Sequence, residues 1–304
     1  LTRSVIRVAA ALPLAAVLTA APPASAQEGL KIYISADMEG VVGTVTGEQL
    51  GPDGFEYEQA RRWMTEEVNA AIRGARTAGA TEILVSDSHG NGQNLLIDQL
   101  PANIQVVRSW PRPLMMMQGI DESFDGAIYI GYHASTTNTE GVRAHTMSSA
   151  NLTSVKLNGI PMAEGGINAA IAGQFGVPNL MVSGDDATID EVRGLLGDIE
   201  GAVVKWNYGF HSARTLTPEA GLEVIREKVA AAMGRIDDFS PYSPGGGPIT
   251  VDISFKHYMP GEMLGYLPNV ERIDSHTIRF VAADMVEASK FMEFVTSYRV
   301  DATP

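Results

Sequence analysis

Lys31-Ile-Tyr-Ile-Ser-Ala36 runs directly into Asp37-Met-Glu-Gly40, a short apolar run that ends on acids. The first six residues read as a buried strand. Outward along the chain, Ile83-Leu-Val85, Ile104-Gln-Val-Val107, Ala127-Ile-Tyr-Ile130 and Asn179-Leu-Met-Val182 repeat the pattern. Tyr57 to Ala78 reads as an amphipathic helix with Ala60, Met64, Val68, Ala71, Ala75 and Ala78 on one face, and Gly79 stops it. Helix-compatible segments separate several of the other strands. Short apolar strands alternating with helices predict an α/β fold whose sheet is largely parallel and covered by helices on both faces.

Two stretches break this rhythm. Between His145 and Gly159 the pattern alternates (Leu152, Ser154, Val155, Leu157) and meets a turn at Asn158-Gly159, which reads as a hairpin inserted beside the sheet. Ser240-Pro-Tyr-Ser-Pro-Gly-Gly-Gly247 reads as a linker, followed by a strand (Ile249 to Phe255), a strand (Thr277 to Ala282) and a helix (Met285 to Tyr298). The expected organisation is an α/β catalytic domain over 27–245 and a small C-terminal α+β module over 246–304.

Residues Leu1 to Ala26 hold two arginines, no acid, an apolar run from Val8 to Ala21 and the small-residue ending Ala24-Ser-Ala26. That is the pattern of a secretory signal peptide, so the mature protein is expected to be periplasmic or secreted. The apolar run is short for a membrane span and is broken by Pro13 and Pro22-Pro23, so no membrane attachment is expected after cleavage. Removing the leader takes away Arg3 and Arg7 and moves the formal charge from -14 to -16. Such acidity repels nucleic acid and anionic lipid. With no cysteine in 304 residues, disulfides are excluded, and any metal must be held by imidazole and carboxylate.

The chemistry-bearing residues fall where strands end, the edge at which open α/β sheets gather ligands. Asp37 and Glu39, two residues apart, point to one side if the strand continues, and Gly40 lets the backbone turn. His89 follows the strand at Ile83 to Val85, with Asp87 placed to ligate or to orient it. His133 follows the strand at Ile128 to Ile130, with His145 twelve residues on. Glu164 opens a small-residue helix, Glu164-Gly-Gly-Ile-Asn168. Each motif alone also fits a solvated turn, a capping loop or a first-turn acid favoured by the helix dipole. Together, two imidazoles and three carboxylates exceed the three protein ligands of a single catalytic zinc, and a two-metal site with a bridging carboxylate accounts for them better. Zinc is the favoured metal, with manganese or cobalt as alternatives. His145 is then a free imidazole for proton transfer or oxyanion stabilisation. His211, His257 and His276 lack such a context and read as structural or surface residues. Asp185-Asp186 reads as a loop pair that orients a lysine or meets a substrate amine, and Met115-Met-Met117 as core or interface packing.

These motifs resemble the D-aminopeptidases of peptidase family M55. The resemblance spans nearly the whole mature chain and rests on Ser35-Ala-Asp-Met-Glu-Gly40, Met64-Thr-Glu-Glu-Val-Asn69, Val85-Ser-Asp-Ser-His89, Gly131-Tyr-His-Ala134, Ala144-His-Thr-Met147, Ala163-Glu-Gly-Gly-Ile-Asn168 and Val182-Ser-Gly-Asp-Asp186. It implies that Asp37, Glu39, His89, His133 and Glu164 bind two zinc ions with Asp37 as the bridge, and that His145 is the catalytic histidine. It also implies release of N-terminal D-amino acids, D-alanine above all, from short peptides, by a ring-shaped homo-oligomer. Two other classes stay open at the level of sequence. One is a two-metal hydrolase of other amides, L-peptides or phosphoesters, although no Gly-rich phosphate loop or basic cluster accompanies the motifs and only Arg143 lies nearby. The other is an exported binding protein without catalysis.

Overall fold

The computed structural model describes Leu1 and residues 29–299. Apart from Leu1, the expected leader therefore lies outside the described residues. In chain order the elements are β1 (Leu30–Ala36), α1 (Tyr57–Thr77), β2 (Ala80–Asp87), β3 (Gln105–Val107), β4 (Gly126–Tyr132), β5 (Leu152–Leu157), β6 (Ile160–Pro161), α2 (Glu164–Gln174), β7 (Asn179–Asp185), α3 (Asp186–Leu196), β8 (Glu200–Gly209), β9 (Ser212–Thr215), α4 (Pro218–Met233), β10 (Ile249–Phe255), α5 (Tyr258–Leu264), β11 (Val270–Arg272), β12 (Thr277–Ala282) and α6 (Met285–Ser297). No helix among the described residues is long and apolar enough to cross a membrane.

Seven strands form one sheet in the order β3-β2-β1-β4-β7-β8-β9. All its pairs are parallel except β8–β9. Alternation along the strands sorts side chains between two cores. Ile32 and Ile34 of β1, with Ile128 and Ile130 of β4, pack against Met64, Val68 and Ala71 of α1 and against Ile225 and Val229 of α4. Tyr33 and Tyr129 point the opposite way, into a core shared with α2, α6 and the second sheet. The period of the α1 face is thus the one the sequence carries, and the predicted largely parallel sheet with helices on both faces is present.

The hairpin expected beside the sheet is present at β5–β6. It forms a five-stranded sheet, β11-β12-β10-β5-β6, with the C-terminal strands. Antiparallel register pairs Val251 with Leu157 and Ile253 with Val155. The reason is burial: Leu152, Val155 and Leu157 face the core that also takes Val251, Ile253, Ile278 and Met292, and a strand with one apolar face needs a neighbour to satisfy its backbone. The Ser240 to Gly247 segment carries the chain from α4 to this second sheet.

The turn after β1 approaches the end of β4 very closely. The Gly40 amide donates to the Gly131 carbonyl at 2.7 Å, and the Asp37 amide to the Ile130 carbonyl at 2.8 Å. A Cβ on Gly40 would lie 1.9 Å from the Tyr132 carbonyl oxygen, and one on Gly131, whose φ is +71°, would lie 2.3 Å from the Asp37 carbonyl oxygen. Only glycine fits at either place. Behind this turn, Glu67 of α1 is fully buried and accepts the Val42 amide at 2.8 Å.

Two outcomes follow from this packing. Gly131→Ala is expected to lower unfolding free energy by at least about 2 kcal/mol, read from urea denaturation, because strained backbone and steric overlap add. Burial raises the Glu67 carboxyl to about 8, so the fold favours its neutral form. That contribution is fully present below the unfolded value near 4.5 and is lost as pH rises towards about 8. Glu67→Gln is expected to remove a stability decline on the order of a few kcal/mol between pH 5 and 8, measured by urea melts of both proteins at each pH.

Candidate metal centre

Strands β2, β1 and β4 are neighbours and parallel, so their carboxyl ends deliver side chains to one place. The chain order reverses between β1 and β4, the topological switch point at which α/β sheets open a crevice. Asp37 and Glu39 leave β1, His89 stands two residues past β2, and His133 follows β4 directly. Glu164 is the first residue of α2, and His145 comes from the loop before β5. All five expected ligands and His145 therefore meet, though the sequence spreads them over more than a hundred positions.

His89 sets its Nε2 at 2.8 Å from the Leu50 carbonyl. A carbonyl only accepts, so that nitrogen carries the proton and Nδ1 faces the acids, 3.1 Å from Asp37 Oδ1 and 2.9 Å from Glu39 Oε2. His133 uses Nδ1 on the Ala134 carbonyl at 3.0 Å and turns Nε2 to Asp37 Oδ2 at 3.3 Å and Glu164 Oε2 at 3.5 Å. His145 donates from Nδ1 to the Arg143 carbonyl at 2.8 Å, and its Nε2 lies 4.0 Å from Glu39 Oε1 and 3.9 Å from Glu164 Oε1. The His133 and His145 rings stack, with centroids 4.0 Å apart and planes 7° off parallel. Each imidazole is thus oriented by a backbone carbonyl, and its second nitrogen points at carboxylates, the arrangement that outer partners impose on metal-binding histidines.

The carboxylates repel one another in a place with little water. Asp37, Glu39, His89, His133 and Glu164 are all buried. Burial and the neighbouring Glu39 charge raise the Asp37 carboxyl. Burial would raise Glu39 too, but the charges of His89, His145 and His133 pull it well below the usual range. Glu164 is lowered in the same way against its burial, chiefly by His133. Burial opposes charge on His89 and His133, yet Glu39 and Asp37 hold the first, and Glu164 and Asp37 the second, well above the ordinary imidazole value. The cluster demands positive charge at its centre, which protons or metal cations would supply. Asp37 Oδ2, Glu39 Oε2 and His133 Nε2 are buried without a hydrogen-bond partner. Unsatisfied donor atoms of this kind, aimed inward and free of sulfur, fit an N/O-coordinated ion. Among the described residues two metal-compatible groups emerge, Asp37-Glu39-His133 and His133-His145-Glu164.

Several neighbours take roles that the sequence left open. Asp87 neither faces the centre nor touches the His89 ring. Its carboxylate accepts the Asn94 and Leu95 amides and the Asn94 side chain, which in turn donates to the His89 carbonyl at 2.6 Å. Asp185 caps α3 through the Thr188 amide and accepts the Val142 amide at 2.6 Å, while Asp186 accepts from Asn207. His211 and His257 are exposed and His276 partly so. The Met115 to Met117 turn is buried, and the Met116 carbonyl accepts from the hydroxyls of Tyr33, Ser35 and Ser88.

A chain of small polar groups beneath the centre has no separate signature in the sequence. Asn168 donates to the Tyr132 hydroxyl at 2.7 Å, Tyr132 to Ser35 Oγ at 2.7 Å, and Ser35 meets Ser88 at 2.7 Å. These tie α2, β4, β1 and the end of β2 into one frame. The Met147 amide donates to Glu164 Oε1 at 2.6 Å, linking the His145 loop to α2. Above the centre a cavity of about 830 Å³ opens, walled on its apolar side by Trp110, Met115, Met116, Met147 and Phe294, with Asp37, Glu39, His89, His145 and Glu164 at the other side.

The family model for D-aminopeptidases of peptidase family M55 matches residues 30–294. A D-aminopeptidase of Bacillus subtilis (strain 168) is 34% identical over 268 residues, covering 88% of this chain and 97% of that protein. The solved structure of the Zn-dependent D-aminopeptidase DppA from Bacillus subtilis, described as a self-compartmentalizing protease, superposes with a TM-score of 0.85 at 32% identity, covering 90% of this chain and 99% of that one. With the family model matching residues 30–294 and a relative 34% identical over 88% of the chain, the chain belongs to the M55 peptidase family of D-aminopeptidases.

Proposed function

We propose that this protein is a two-zinc metallo-aminopeptidase that releases N-terminal D-amino acids, D-alanine foremost, from short peptides. The observation that carries the two-ion reading is the use of Asp37, whose Oδ1 faces His89 and whose Oδ2 faces His133. His89 also meets Glu39, and His133 also meets Glu164, so two donor sets share one carboxylate. On this reading Asp37, Glu39 and His89 hold one ion, and Asp37, His133 and Glu164 the other. Zinc when bound supplies Lewis acidity towards the scissile carbonyl and makes water acidic enough to act near neutral pH.

The protein's own groups do the rest. The apolar wall of the cavity limits water around the reacting groups. His145, held by the Arg143 carbonyl with Nε2 free, takes the proton from the attacking water at Nε2 and returns it to the leaving nitrogen as the C–N bond breaks. With Leu1 to Ala26 as an export leader, the substrates would be D-alanine-containing peptides of the kind derived from cell-wall peptidoglycan. The self-compartmentalizing relative supports a homo-oligomeric assembly for this chain as well.

The mature chain loaded with zinc is expected to cleave D-Ala-D-Ala and leave L-Ala-L-Ala intact, with chelator abolishing turnover, as read by amine release. Protein that retains about two metals per chain yet cleaves neither peptide would sink the peptidase assignment and favour a hydrolase of other amides or phosphoesters, checked with a phosphoester panel. For the residues, His145→Ala is expected to lower kcat by at least about 100-fold with zinc content unchanged, and Glu164→Ala to lose zinc as well as activity. A fall in zinc content of the His145 variant, measured by elemental analysis, would make that residue a ligand instead.

A further inference from the structure

Lys205 stands in the middle of β8 and is fully buried. A lysine there is costly, since a hydrophobic side chain would fill a central strand position more cheaply than a charge that must be desolvated. An ammonium has three donors, and all three go to a single loop: the carbonyls of Glu39, of Val41 at 3.1 Å and of Thr44 at 2.5 Å. That loop begins with Asp37 and Glu39. Glu67 grips the same loop from α1 through the Val42 amide, and Asp185, opposite Lys205 in the β7–β8 pair, adds negative charge nearby. Lys205 does not line the cavity, so it has no path to substrate.

We propose that Lys205 is a positioning residue for the metal centre, which fixes the Glu39 carbonyl from behind and so aims the Glu39 carboxylate at the His89 side of the site. The inference rests on the two-ion reading above. Its reach is one-sided: Glu39 meets His89, whereas Glu164 and His133 are carried by α2 and the end of β4, which Lys205 does not touch, and the shared Asp37 is held separately through its amide on the Ile130 carbonyl. Loss of the three bonds should therefore loosen one ion and spare the other.

The experiment is a calorimetric zinc titration of metal-stripped full-length protein, alongside thermal melts, for the wild type, Lys205→Met and Ile225→Ala. The last removes core packing between α4 and the sheet without touching the three Lys205 bonds and serves as a control for general destabilisation. The wild type should take two zinc ions. Lys205→Met should keep one at wild-type affinity and bind the other at least about tenfold more weakly, the scale of outer-partner mutations, while Ile225→Ala keeps both. Two wild-type affinities in folded Lys205→Met, or the same selective loss in Ile225→Ala, would overturn the proposal. Should Lys205→Met not fold, Lys205→Gln, which retains two N–H donors on a shorter stem, is read in the same way. Failure of both to fold would assign the lysine to stability and overturn it too. A wild type that binds a single zinc sinks the two-ion reading, and the Lys205 assignment then stands only if Lys205→Met weakens that ion.

Discussion

Three buried carboxylates face one another at the carboxyl ends of adjacent parallel strands, and the surrounding structure is arranged around their mutual repulsion. Asp37, Glu39 and Glu164 cannot all be ionised in a crevice with little water unless cationic charge is placed among them. Three imidazoles surround them, each with one nitrogen spent on a backbone carbonyl and the other turned inward. The carbonyls of Leu50, Ala134 and Arg143 are thus as much part of the site as the side chains, because they fix which nitrogen is available.

Holding that charge in place requires a stiff frame. The Ser35, Ser88, Tyr132 and Asn168 relay locks the ends of three strands and α2 together. Gly40 and Gly131 let the β1 turn press against β4 backbone to backbone. Fully satisfied buried networks of this sort rigidify, whereas a half-satisfied one would be costlier than an apolar core. Three buried atoms without a partner lie where a ligand is expected: Asp37 Oδ2, Glu39 Oε2 and His133 Nε2.

The second sheet contributes the roof of the crevice. It brings α6 to the cavity, where Phe294 joins Met115, Met116 and Trp110 in the lining. Because β5–β6 pairs with β10, the residues just before the hairpin, including His145 and Met147, are anchored to the same layer as the C-terminal helix. The catalytic edge of the parallel sheet and the roof are consequently linked through the short segment that carries His145.

What the residues determined unaided were the local patterns: apolar strands ending in Asp37, His89 and His133, the α1 face, and Glu164 opening a small-residue helix. Those signals are periodic or adjacent in sequence, so they survive without a fold, and the motif set was enough to resemble the family. Tertiary structure alone decided the rest. Strand order put β2, β1 and β4 side by side, the hairpin found β10 as its partner, and Asp87 turned to Asn94 rather than to the centre. Lys205 and Glu67 look like ordinary charges in a strand and a helix, yet both end buried behind the β1 turn. Such roles depend on which backbone groups lack partners once the layers have packed, and no spacing along a chain encodes that.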